Sequence, residues 1–228
     1  MHKLERFKIV IIIPAYNEET TIKSVVEQAL NHADVIVVND ASIDNTGEIA
    51  LCSGAIVINH TSNRGYDQAL NSGFIEADKR NYDAVITFDA DGQHNTSYLK
   101  EYIRLINENY DVVIGIRSNF QRIAEYVFSW VSMARWGIHD PLCGMKGYHI
   151  DVFKNLGHFD SYNSIGTELS IFAVKSKMKI AQLHIKVNKR NDKSRFGNRF
   201  LANIRIFYSL WKGMIKDMEP RQKLSFYR

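Results

Sequence analysis

The chain has 228 residues, of which 45% are hydrophobic and 24% charged, and a formal net charge of +4. These proportions are typical of a globular protein and exclude a disordered or low-complexity chain. Two cysteines are too few for a disulfide framework or a zinc cluster, and no apolar run reaches the roughly 20 residues of a membrane span. Because the N-terminus also lacks an apolar signal segment, we expect a cytoplasmic protein built on one main domain.

Apolar runs alternate with amphipathic stretches in the first part of the chain. Buried strands are predicted over residues 7–13, 34–38, 55–59 and 84–88. Helices are predicted between them, beginning near residues 20, 46 and 63 and ending near residues 32, 52 and 79. Pro14 is expected to end the first strand. The alternation predicts an α/β fold with a mostly parallel central sheet flanked by helices.

Three polar clusters follow these strands, at residues 16–19, 39–44 and 89–94. Ligands bind at the carboxyl ends of the strands in such sheets, so we expect the clusters to share one edge. A lone Asp-x-Asp is more often a solvated turn. Three clusters at one edge favour a nucleotide site over three unrelated turns.

The third cluster carries a pair of carboxylates. Asp89 and Asp91 point to the same side of an extended backbone, and Gly92 permits a sharp turn after them. Together with the amide oxygen of Gln93, they form an oxygen-rich site suited to Mg²⁺ or Mn²⁺. His94 is expected either to contact the metal or diphosphate, or to hold the carboxylates in place without binding the metal itself.

Four motifs in this order resemble those of family 2 glycosyltransferases of the GT-A fold. They read Ile-Pro-Ala-Tyr-Asn-Glu-Glu, Val-Asn-Asp-Ala-Ser-Ile-Asp-Asn-Thr, Asn-Arg-Gly-Tyr and Phe-Asp-Ala-Asp-Gly-Gln-His, at residues 13–19, 38–46, 63–66 and 88–94. The resemblance implies a nucleotide-diphospho-sugar site formed by Pro14, Ala15, Tyr16, Glu18, Asp40, Asn63, Gly65, Asp89 and Ala90. It also implies that Asp89, Asp91 and Gln93 hold the metal, so that Asp91 serves catalysis. Asp67 departs from the pattern, where relatives commonly have a small residue, and bears on sugar or phosphate contacts.

The second half begins with a predicted helix after Asn95 or Thr96 and a strand over residues 111–116. Residues 120–137 predict a helix that either belongs to the core or exposes apolar surface to a lipid chain on the acceptor side. Residues 198–218 predict an amphipathic helix that packs on the domain or another subunit, or lies in a membrane interface.

Domain boundaries follow from these elements. The GT-A domain is expected to span residues 1–197, with a nucleotide-binding half to about residue 95 and an acceptor half from about residue 96. Residues 198–228 are expected to form an amphipathic helical extension.

Three further segments resemble parts of dolichyl- and polyprenyl-phosphate sugar synthases. Residues 140–148, Asp-Pro-Leu-Cys-Gly-Met-Lys-Gly-Tyr, resemble their acceptor-region motif, and residues 166–169 resemble their helix that carries a glutamate. Residues 185–196 resemble their strand and basic loop, although the proline and glycine of that pattern are missing and its last lysine is Arg195 here.

The chemistry of the acceptor decides which side chains are needed. A phosphate monoester is already an anionic nucleophile, so it requires cations to position it, and the candidates are Arg117, Arg122, Arg190 and Arg195. A sugar hydroxyl requires a general base, and the candidates are Asp140 and Glu168.

The resemblance implies an inverting, metal-dependent transfer of a hexose from a UDP- or GDP-sugar to a polyprenyl phosphate. The alternatives are transfer to a glycan hydroxyl in polysaccharide or cell-wall synthesis, and a non-catalytic sugar-nucleotide-binding protein. We expect no nucleic-acid partner, because the basic charge is confined to the C-terminal part. A peripheral position on the cytoplasmic face of the membrane is expected for a lipid acceptor, and a homo-oligomer or a separate membrane partner are left open.

Overall fold

The structure is a computed structural model that describes residues 7–120, 122–187 and 199–218. The predicted acceptor residues Arg190 and Arg195 lie outside the described residues. Strands are β1 Ile9–Ala15, β2 Asp34–Asn39, β3 Ile56–Asn59, β4 Ala84–Thr87, β5 Val112–Arg117, β6 Lys146–His149 and β7 Ile180–Ile185. Helices are α1 Ile22–Leu30, α2 Thr46–Cys52, α3 Tyr66–Lys79, α4 Leu99–Asn107, α5 Ile123–Trp136, α6 Ile150–Leu156, α7 Thr167–Lys175 and α8 Arg199–Met218, with a short 3₁₀ helix at Thr96–Tyr98.

The strands form one sheet in the order β3-β2-β1-β4-β6-β5-β7. All neighbouring pairs are parallel except those of β6, which runs antiparallel to both β4 and β5. The predicted α/β fold with a mostly parallel sheet is therefore confirmed. Because β1, β2 and β4 are parallel neighbours, their carboxyl ends, and the polar clusters that follow them, lie at one edge.

Strand β6 is the element whose absence from the sequence prediction matters most for the site; α6 and most of β7 are not predicted either. Its residues, Lys-Gly-Tyr-His, contain neither an apolar run nor a clear alternation. Gly147 lets β6 pack closely against α4, because a Cβ at this position would lie only 3.1 Å from the Ile106 side chain. Tertiary contact on both sides, rather than strand propensity, places this segment in the sheet.

Pro14 lies inside β1, which continues to Ala15, so the prediction that it ends the strand is wrong. The N–H of Phe88 donates to the carbonyl of Ile12 at 2.9 Å, so Ile12, and Pro14 two residues later, face the β4 side. The ladder between β1 and β4 ends at the pair of Ile12 and Thr87. The N–H that Pro14 lacks would point towards β4 beyond the end of this ladder, so the strand pair loses no hydrogen bond.

Alternate residues of β1 enter the two halves of the core. Val10 and Ile12 pack with side chains of α3, α5, α6, α7 and α8. Ile9, Ile11 and Ile13 pack on the other face with side chains of α1, α2 and α4. Both faces of the sheet are covered, which explains the unbroken apolar strands.

Helix α8 packs on the domain through Leu210, which is buried in the core beside residues of α5 and α7. Its other side carries exposed apolar residues, which also occur on α5. Within the parts of the chain that the structure describes, no helix combines the length and the apolar character needed to cross a membrane.

Candidate active site

Asp89 directly follows the buried strand β4 and is held by two side chains. The Tyr66 hydroxyl donates to Oδ1 at 2.8 Å, and the His94 Nε2 lies 3.0 Å from Oδ2. Burial by itself raises the pKa of Asp89, but His94 and Tyr66, with the charge of Arg117, hold that pKa below its ordinary value. Asp89 is therefore ionised at neutral pH, and its side chain is 25% exposed.

The turn after Asp89 presents the second carboxylate. Gly92 adopts a φ of +70°, a left-handed conformation that favours glycine. The N–H of Gln93 donates to Oδ1 of Asp91 at 3.0 Å, which fixes the turn. Asp91 and Gln93 are both partly exposed. The glycine turn after the two carboxylates is therefore present, and the binding of one ion by both carboxylates stays a prediction.

The acceptor-region motif lies against this carboxylate pair. A Cβ on Gly144 would lie 2.5 Å from Oδ2 of Asp89, so only a glycine lets the backbone approach so closely. The Thr87 hydroxyl donates to the Gly144 carbonyl at 2.6 Å and anchors the segment to β4. The antiparallel strand β6, which follows, thus brings two motifs that are some 50 residues apart in sequence into contact.

These residues fit a hard divalent cation. Asp89 and Asp91 supply carboxylate oxygens and Gln93 an amide oxygen, which are the ligand types that Mg²⁺ and Mn²⁺ prefer. Across residues 7–120, 122–187 and 199–218, no group of three or more His, Cys, Asp or Glu side chains is close enough to hold a metal. A metal here would therefore be held by few protein ligands, as is usual when substrate phosphates complete the coordination.

The other two polar clusters are joined by hydrogen bonds. The Glu18 N–H donates to the Thr46 hydroxyl at 2.7 Å, and the Asn17 N–H donates to the Ser42 hydroxyl at 3.0 Å. In return, the Ile43 N–H donates to Oδ1 of Asn17 at 2.9 Å. The loops after β1 and β2 therefore form one unit at the carboxyl edge of the sheet, as the strand order requires.

Asp40 connects this unit to the loop before α3. Asp40 is buried, and its carboxylate accepts the N–H groups of Arg64 at 2.9 Å and Gly65 at 2.8 Å and lies 2.7 Å from His60 Nδ1. Gly65 has a φ of +86° and precedes Tyr66, the residue that holds Asp89. The predicted nucleotide residues Asp40, Gly65 and Asp89 are thus linked through one short segment.

The remaining predicted nucleotide residues occupy the same edge with different exposure. Ala15 and Ala90 are buried, Glu18 is 7% exposed, Tyr16 is 37% exposed, and Asn63 is exposed. Their contacts with a nucleotide stay predictions.

Arg117 and Arg122 form a buried charge cluster with two carboxylates. Arg117 donates from Nε to Asp140 Oδ2 at 2.7 Å, from Nη2 to Oδ1 at 2.9 Å and from its N–H to Oδ2 at 3.0 Å. Burial alone would lower the pKa of Arg117, but the hydrogen bonds and charge of Asp140 raise that pKa by more, so it lies above its ordinary value. Glu125 lies 3.8 Å from Arg117 Nη1 and accepts from Arg122 Nη1 at 2.9 Å.

This cluster bears on the two acceptor hypotheses. Asp140 is 1% exposed and already accepts three hydrogen bonds from Arg117, so a role as general base would require it to leave that pair. Arg117 and Arg122 remain 18% and 16% exposed, and Arg117 bonds to Asp140 through two of the five N–H donors of its guanidinium. The arrangement favours a cationic rather than a basic role at this point.

Glu168, the second candidate base, lies at the start of α7. Its Oε2 accepts the N–H of Ser161 at 2.7 Å, and its Oε1 lies 3.1 Å from His158 Nε2. It is 7% exposed. The catalytic role of Glu168 stays a prediction.

Asp67 is buried and 4% exposed, so it does not offer a surface contact to a sugar or phosphate. The charges of Asp160 and Lys146 act on its carboxylate. Burial first, and the Asp160 carboxylate second, raise the pKa of Asp67 to about 7. Lys146 is also buried, and burial lowers its pKa to about 8.

The raised pKa of Asp67 predicts a pH dependence of stability. Its pKa is about 7 in the folded chain and about 3.9 in the unfolded chain, so between these values the folded state binds more protons. Protonation of Asp67 therefore stabilises the folded state at low pH. This contribution to the free energy of unfolding is lost as the pH rises through about 7, with a slope of at most about 1.4 kcal/mol per pH unit. We expect the free energy of unfolding, measured with urea at pH 5, 6, 7 and 8, to fall less with rising pH in Asp67→Asn than in the wild type.

The control is Asp151→Asn, since the Asp151 side chain is 79% exposed. This variant should keep the wild-type slope. An Asp67→Asn slope equal to the wild type would show that Asp67 titrates near its ordinary pKa.

Several contributing residues carry no sequence signal. His60 reaches Asp40, Glu125 bridges two arginines, and Gly144 packs on Asp89 only because of the strand order. Tyr66 lies within a quoted motif, but its bond to Asp89 depends on the placement of α3 beside β4. A prediction of residue contacts would be needed to find these pairs from sequence.

Comparison with known proteins identifies the family of the chain. A model of glycosyl transferase family 2 matches residues 10–157, which is well over half of the chain. The UDP-N-acetylglucosamine–dolichyl-phosphate N-acetylglucosaminyltransferase of Methanococcus voltae is 28% identical over 236 residues, covering 89% of this chain and 94% of that protein. The dolichyl-phosphate hexose transferase of Haloferax volcanii is 27% identical over 195 residues, covering 80% of this chain and 83% of that protein.

Solved structures share the fold. Glucosyl-3-phosphoglycerate synthase from Mycobacterium tuberculosis, in complex with Mn²⁺, UDP and phosphoglyceric acid, has a TM-score of 0.75 and 18% identity, covering 95% of this chain and 80% of that chain. At this identity the likeness shows a common GT-A architecture. With the family model matched from β1 to the end of α6, the chain belongs to glycosyl transferase family 2 and is a glycosyltransferase.

Proposed function

We propose that the protein transfers a hexose from a UDP- or GDP-sugar to a polyprenyl phosphate, with the help of Mg²⁺ or Mn²⁺. The observation that carries this proposal is the contact between Asp89 and Gly144, which joins the donor motif to the acceptor-region motif. The names of the Methanococcus and Haloferax relatives, which specify dolichyl phosphate, support the acceptor class. The Mn²⁺ and UDP of the mycobacterial structure support the donor and the metal.

In the donor half, Asp89, Asp91 and Gln93 would hold the metal. A divalent cation neutralises the charge that develops on a departing nucleoside diphosphate. Tyr66 and His94 keep the Asp89 carboxylate in place and ionised, so the residue is prepared for a cation without rearrangement. The linked loops after β1 and β2, with Asp40, would hold the nucleoside.

In the acceptor half, Arg117 and Arg122 would position the lipid phosphate. The charge of Arg117 acts on Asp89, so the guanidinium lies near the metal side of the site. A phosphate monoester is anionic at neutral pH and attacks without a general base. Pairing with Asp140 and Glu125 fixes the two arginines, and a fixed fork of donors suits phosphate oxygens.

Exposed apolar side chains on two neighbouring helices, α5 and α8, favour a lipid over a glycan acceptor. We call them together the α5–α8 apolar surface; its residues are Ile123, Tyr126, Val127, Trp130, Met133, Ile204, Phe207, Tyr208 and Trp211. On each helix the residues recur at intervals of three and four, which places them on one stripe. Exposed apolar patches of this kind mark sites of protein or membrane contact.

The composition and position of this surface fit the interface of a bilayer. Tyrosine and tryptophan are enriched at the headgroup level of membranes, and Lys212 lies over the rings of Tyr208 and Trp211 at 5.5 and 5.8 Å. The stripe on α5 begins at Ile123, directly after Arg122. Apolar side chains would therefore lie next to a lipid whose phosphate is bound by the two arginines. We propose that the protein binds peripherally to the membrane.

Vesicle flotation tests this surface. The double variant Trp130→Ser, Trp211→Ser removes side chains that are 74% and 52% exposed, so the fold should be retained. We expect binding to vesicles with anionic lipid to weaken by at least about tenfold, because each indole buries apolar area in the interface. Leu51→Ser on α2, which removes a side chain that is 61% exposed, is the matched control and should bind like the wild type.

Equal flotation of the double variant and the wild type would remove the support that this surface gives to a lipid acceptor. The choice between acceptors is then tested with polyprenyl phosphate and the corresponding polyprenol. Turnover of the phosphate alone is expected, and turnover of hydroxyl acceptors instead would favour the glycan alternative, with Asp140 or Glu168 as base.

A further inference from the structure

His60 takes part in a buried hydrogen-bonded chain that the function above does not use. Its ring lies between two partners, with Nδ1 2.7 Å from Asp40 Oδ1 and Nε2 2.9 Å from the Ser72 hydroxyl. The side chains of His60 and Asp40 are each 5% exposed. The three residues come from different elements: Asp40 follows β2, His60 follows β3 and Ser72 lies on α3.

Asp40 fixes the hydrogen on one ring nitrogen of His60. An ionised carboxylate can only accept, so Nδ1 of His60 carries the hydrogen that it donates to Asp40. Nε2 faces the Ser72 hydroxyl, which can donate to a bare ring nitrogen or accept from one that carries a hydrogen. The main chain supports this arrangement, because the N–H of His60 donates to the Asn39 carbonyl at 2.9 Å, one residue before Asp40.

The hydrogen bonds of Asp40 limit what it can still accept. A carboxylate has about four acceptor positions. Oδ1 is occupied by His60 and the Arg64 N–H, while Oδ2 accepts the Gly65 N–H. Within the residues that the structure describes, one position on Oδ2 is left.

We propose that His60 is a positioning residue for the donor nucleotide, which fixes Asp40 so that Oδ2 accepts a single N–H or O–H group of the nucleoside. The inference rests on the proposed function, because it takes Asp40 as part of the nucleotide site. It narrows the ligand chemistry: the group that meets Asp40 must be a donor, such as a base imino N–H or a ribose hydroxyl, and a group that only accepts is excluded.

The same chain connects recognition of the nucleoside to the metal side. Asp40 holds the backbone of Arg64 and Gly65, and the next residue, Tyr66, donates to Asp89. Loss of His60 would remove one of the two hydrogen bonds to Oδ1 of Asp40, while the N–H groups of Arg64 and Gly65 still bond to Oδ1 and Oδ2. The effect should therefore fall on the nucleoside and leave the diphosphate and metal part of the site in place.

Titration calorimetry with Mn²⁺ and three ligands, UDP, GDP and pyrophosphate, separates these parts. Pyrophosphate resembles the diphosphate but has no nucleoside. We expect His60→Leu to weaken the better-binding nucleoside diphosphate by roughly 10- to 100-fold, as for loss of a hydrogen bond to a charged group. Its pyrophosphate Kd should stay within about twofold of the wild type, a difference too small to signal a lost contact.

Two further variants distinguish positioning from a general structural role. His60→Asn places an amide N–H near the former Nδ1 and should restore nucleoside diphosphate binding to within about threefold, since the bond to Asp40 is kept. Ser72→Ala removes only the outer bond and should give a smaller loss in the same direction, even if His60→Leu does not fold. Tyr82→Phe is the matched control, because it removes a 2.7 Å hydrogen bond to Asp34 at the opposite end of β2.

Equal weakening of nucleoside diphosphate and pyrophosphate, or no weakening of either in the His60 and Ser72 variants, would overturn the proposal. A wild-type protein that binds pyrophosphate but neither UDP nor GDP would instead overturn the donor assignment on which it rests. The two failures are therefore distinguished by the wild-type titration.

Discussion

Replacement of Asp91 by asparagine is expected to lower the rate of hexose transfer by about 10³-fold and to abolish Mn²⁺-dependent binding of a nucleoside diphosphate. Asp91 lies on the glycine turn two residues after Asp89, and we propose that the two carboxylates bind one cation. Asparagine keeps the shape and can still accept the Gln93 N–H, but it removes the negative charge. Calorimetry with and without Mn²⁺, together with transfer kinetics, measures the effect.

The control for this variant is Asp83→Asn. Asp83 precedes the other end of β4 and accepts the N–H of Lys8 at 2.7 Å, far from the carboxyl edge of the sheet. Its variant should bind the nucleotide like the wild type. If Asp91→Asn also retained metal-dependent binding, the metal would have to be assigned to other residues.

Arg117→Leu is expected to lower the free energy of unfolding by about 3–5 kcal/mol, because it leaves the buried Asp140 carboxylate without its cation, whereas Glu125 keeps Arg122. Asp140 is 1% exposed and Glu125 4%. Asp140 would lose the two hydrogen bonds from the Arg117 guanidinium, and also the one from the Arg117 N–H if the main chain moved. Denaturant unfolding measures the change, provided that the m-value stays constant.

Arg104→Leu provides a comparison on the surface. Arg104 pairs with Glu101 and Glu108 on the exposed side of α4, and the side chains of all three are between 43% and 50% exposed. Such pairs contribute little, so this variant should unfold close to the wild type. The double variant Arg117→Leu, Asp140→Leu should recover part of the lost stability, since no unpaired carboxylate remains at position 140.

Stability of Arg117→Leu close to the wild type would contradict the buried pairing. In that case the guanidinium would be held mainly by its ligand, and the acceptor KM would carry the whole effect of the substitution. The two readouts together separate the role of Arg117 in the fold from its proposed role toward the lipid phosphate.

The donor half could be predicted closely from sequence because its signals are local. The strands β1, β2 and β4 are continuous apolar runs, and each is followed by polar residues that identify the carboxyl edge. Parallel neighbours then bring those residues together without further information. The family resemblance, which the family model confirms, rests on the same segments.

The acceptor half depends on contacts that are not local. Strand β6 has no apolar pattern, so neither its place between β4 and β5 nor the approach of Gly144 to Asp89 is visible in the sequence. Asp140 and Arg117 are 23 residues apart, and their pairing changes the interpretation of Asp140 from a base to the partner of a cation. Pro14 shows the same limit, since its tolerance depends on where the neighbouring strand ends.

The exposed residues of α5 and α8 illustrate a choice that only the structure can make. The spacing of apolar residues in both helices is consistent with a core helix and with a surface that binds lipid. In the structure each helix has a buried side and an exposed apolar side, because Phe128 and Leu210 are buried while Trp130 and Trp211 are exposed. The buried side belongs to the core, and the exposed side is the one for which we propose contact with a membrane.

The measurement that tests the central claim most directly is transfer of a radiolabelled hexose from a panel of UDP- and GDP-sugars. Polyprenyl phosphate in detergent is the only acceptor, and Mn²⁺ is present. Label from one donor is expected to enter the organic phase, and to stay in the aqueous phase when Mn²⁺ is replaced by a chelator. Donor hydrolysis without labelled lipid would contradict the lipid phosphate acceptor, and no turnover of any donor would contradict the proposed transfer itself.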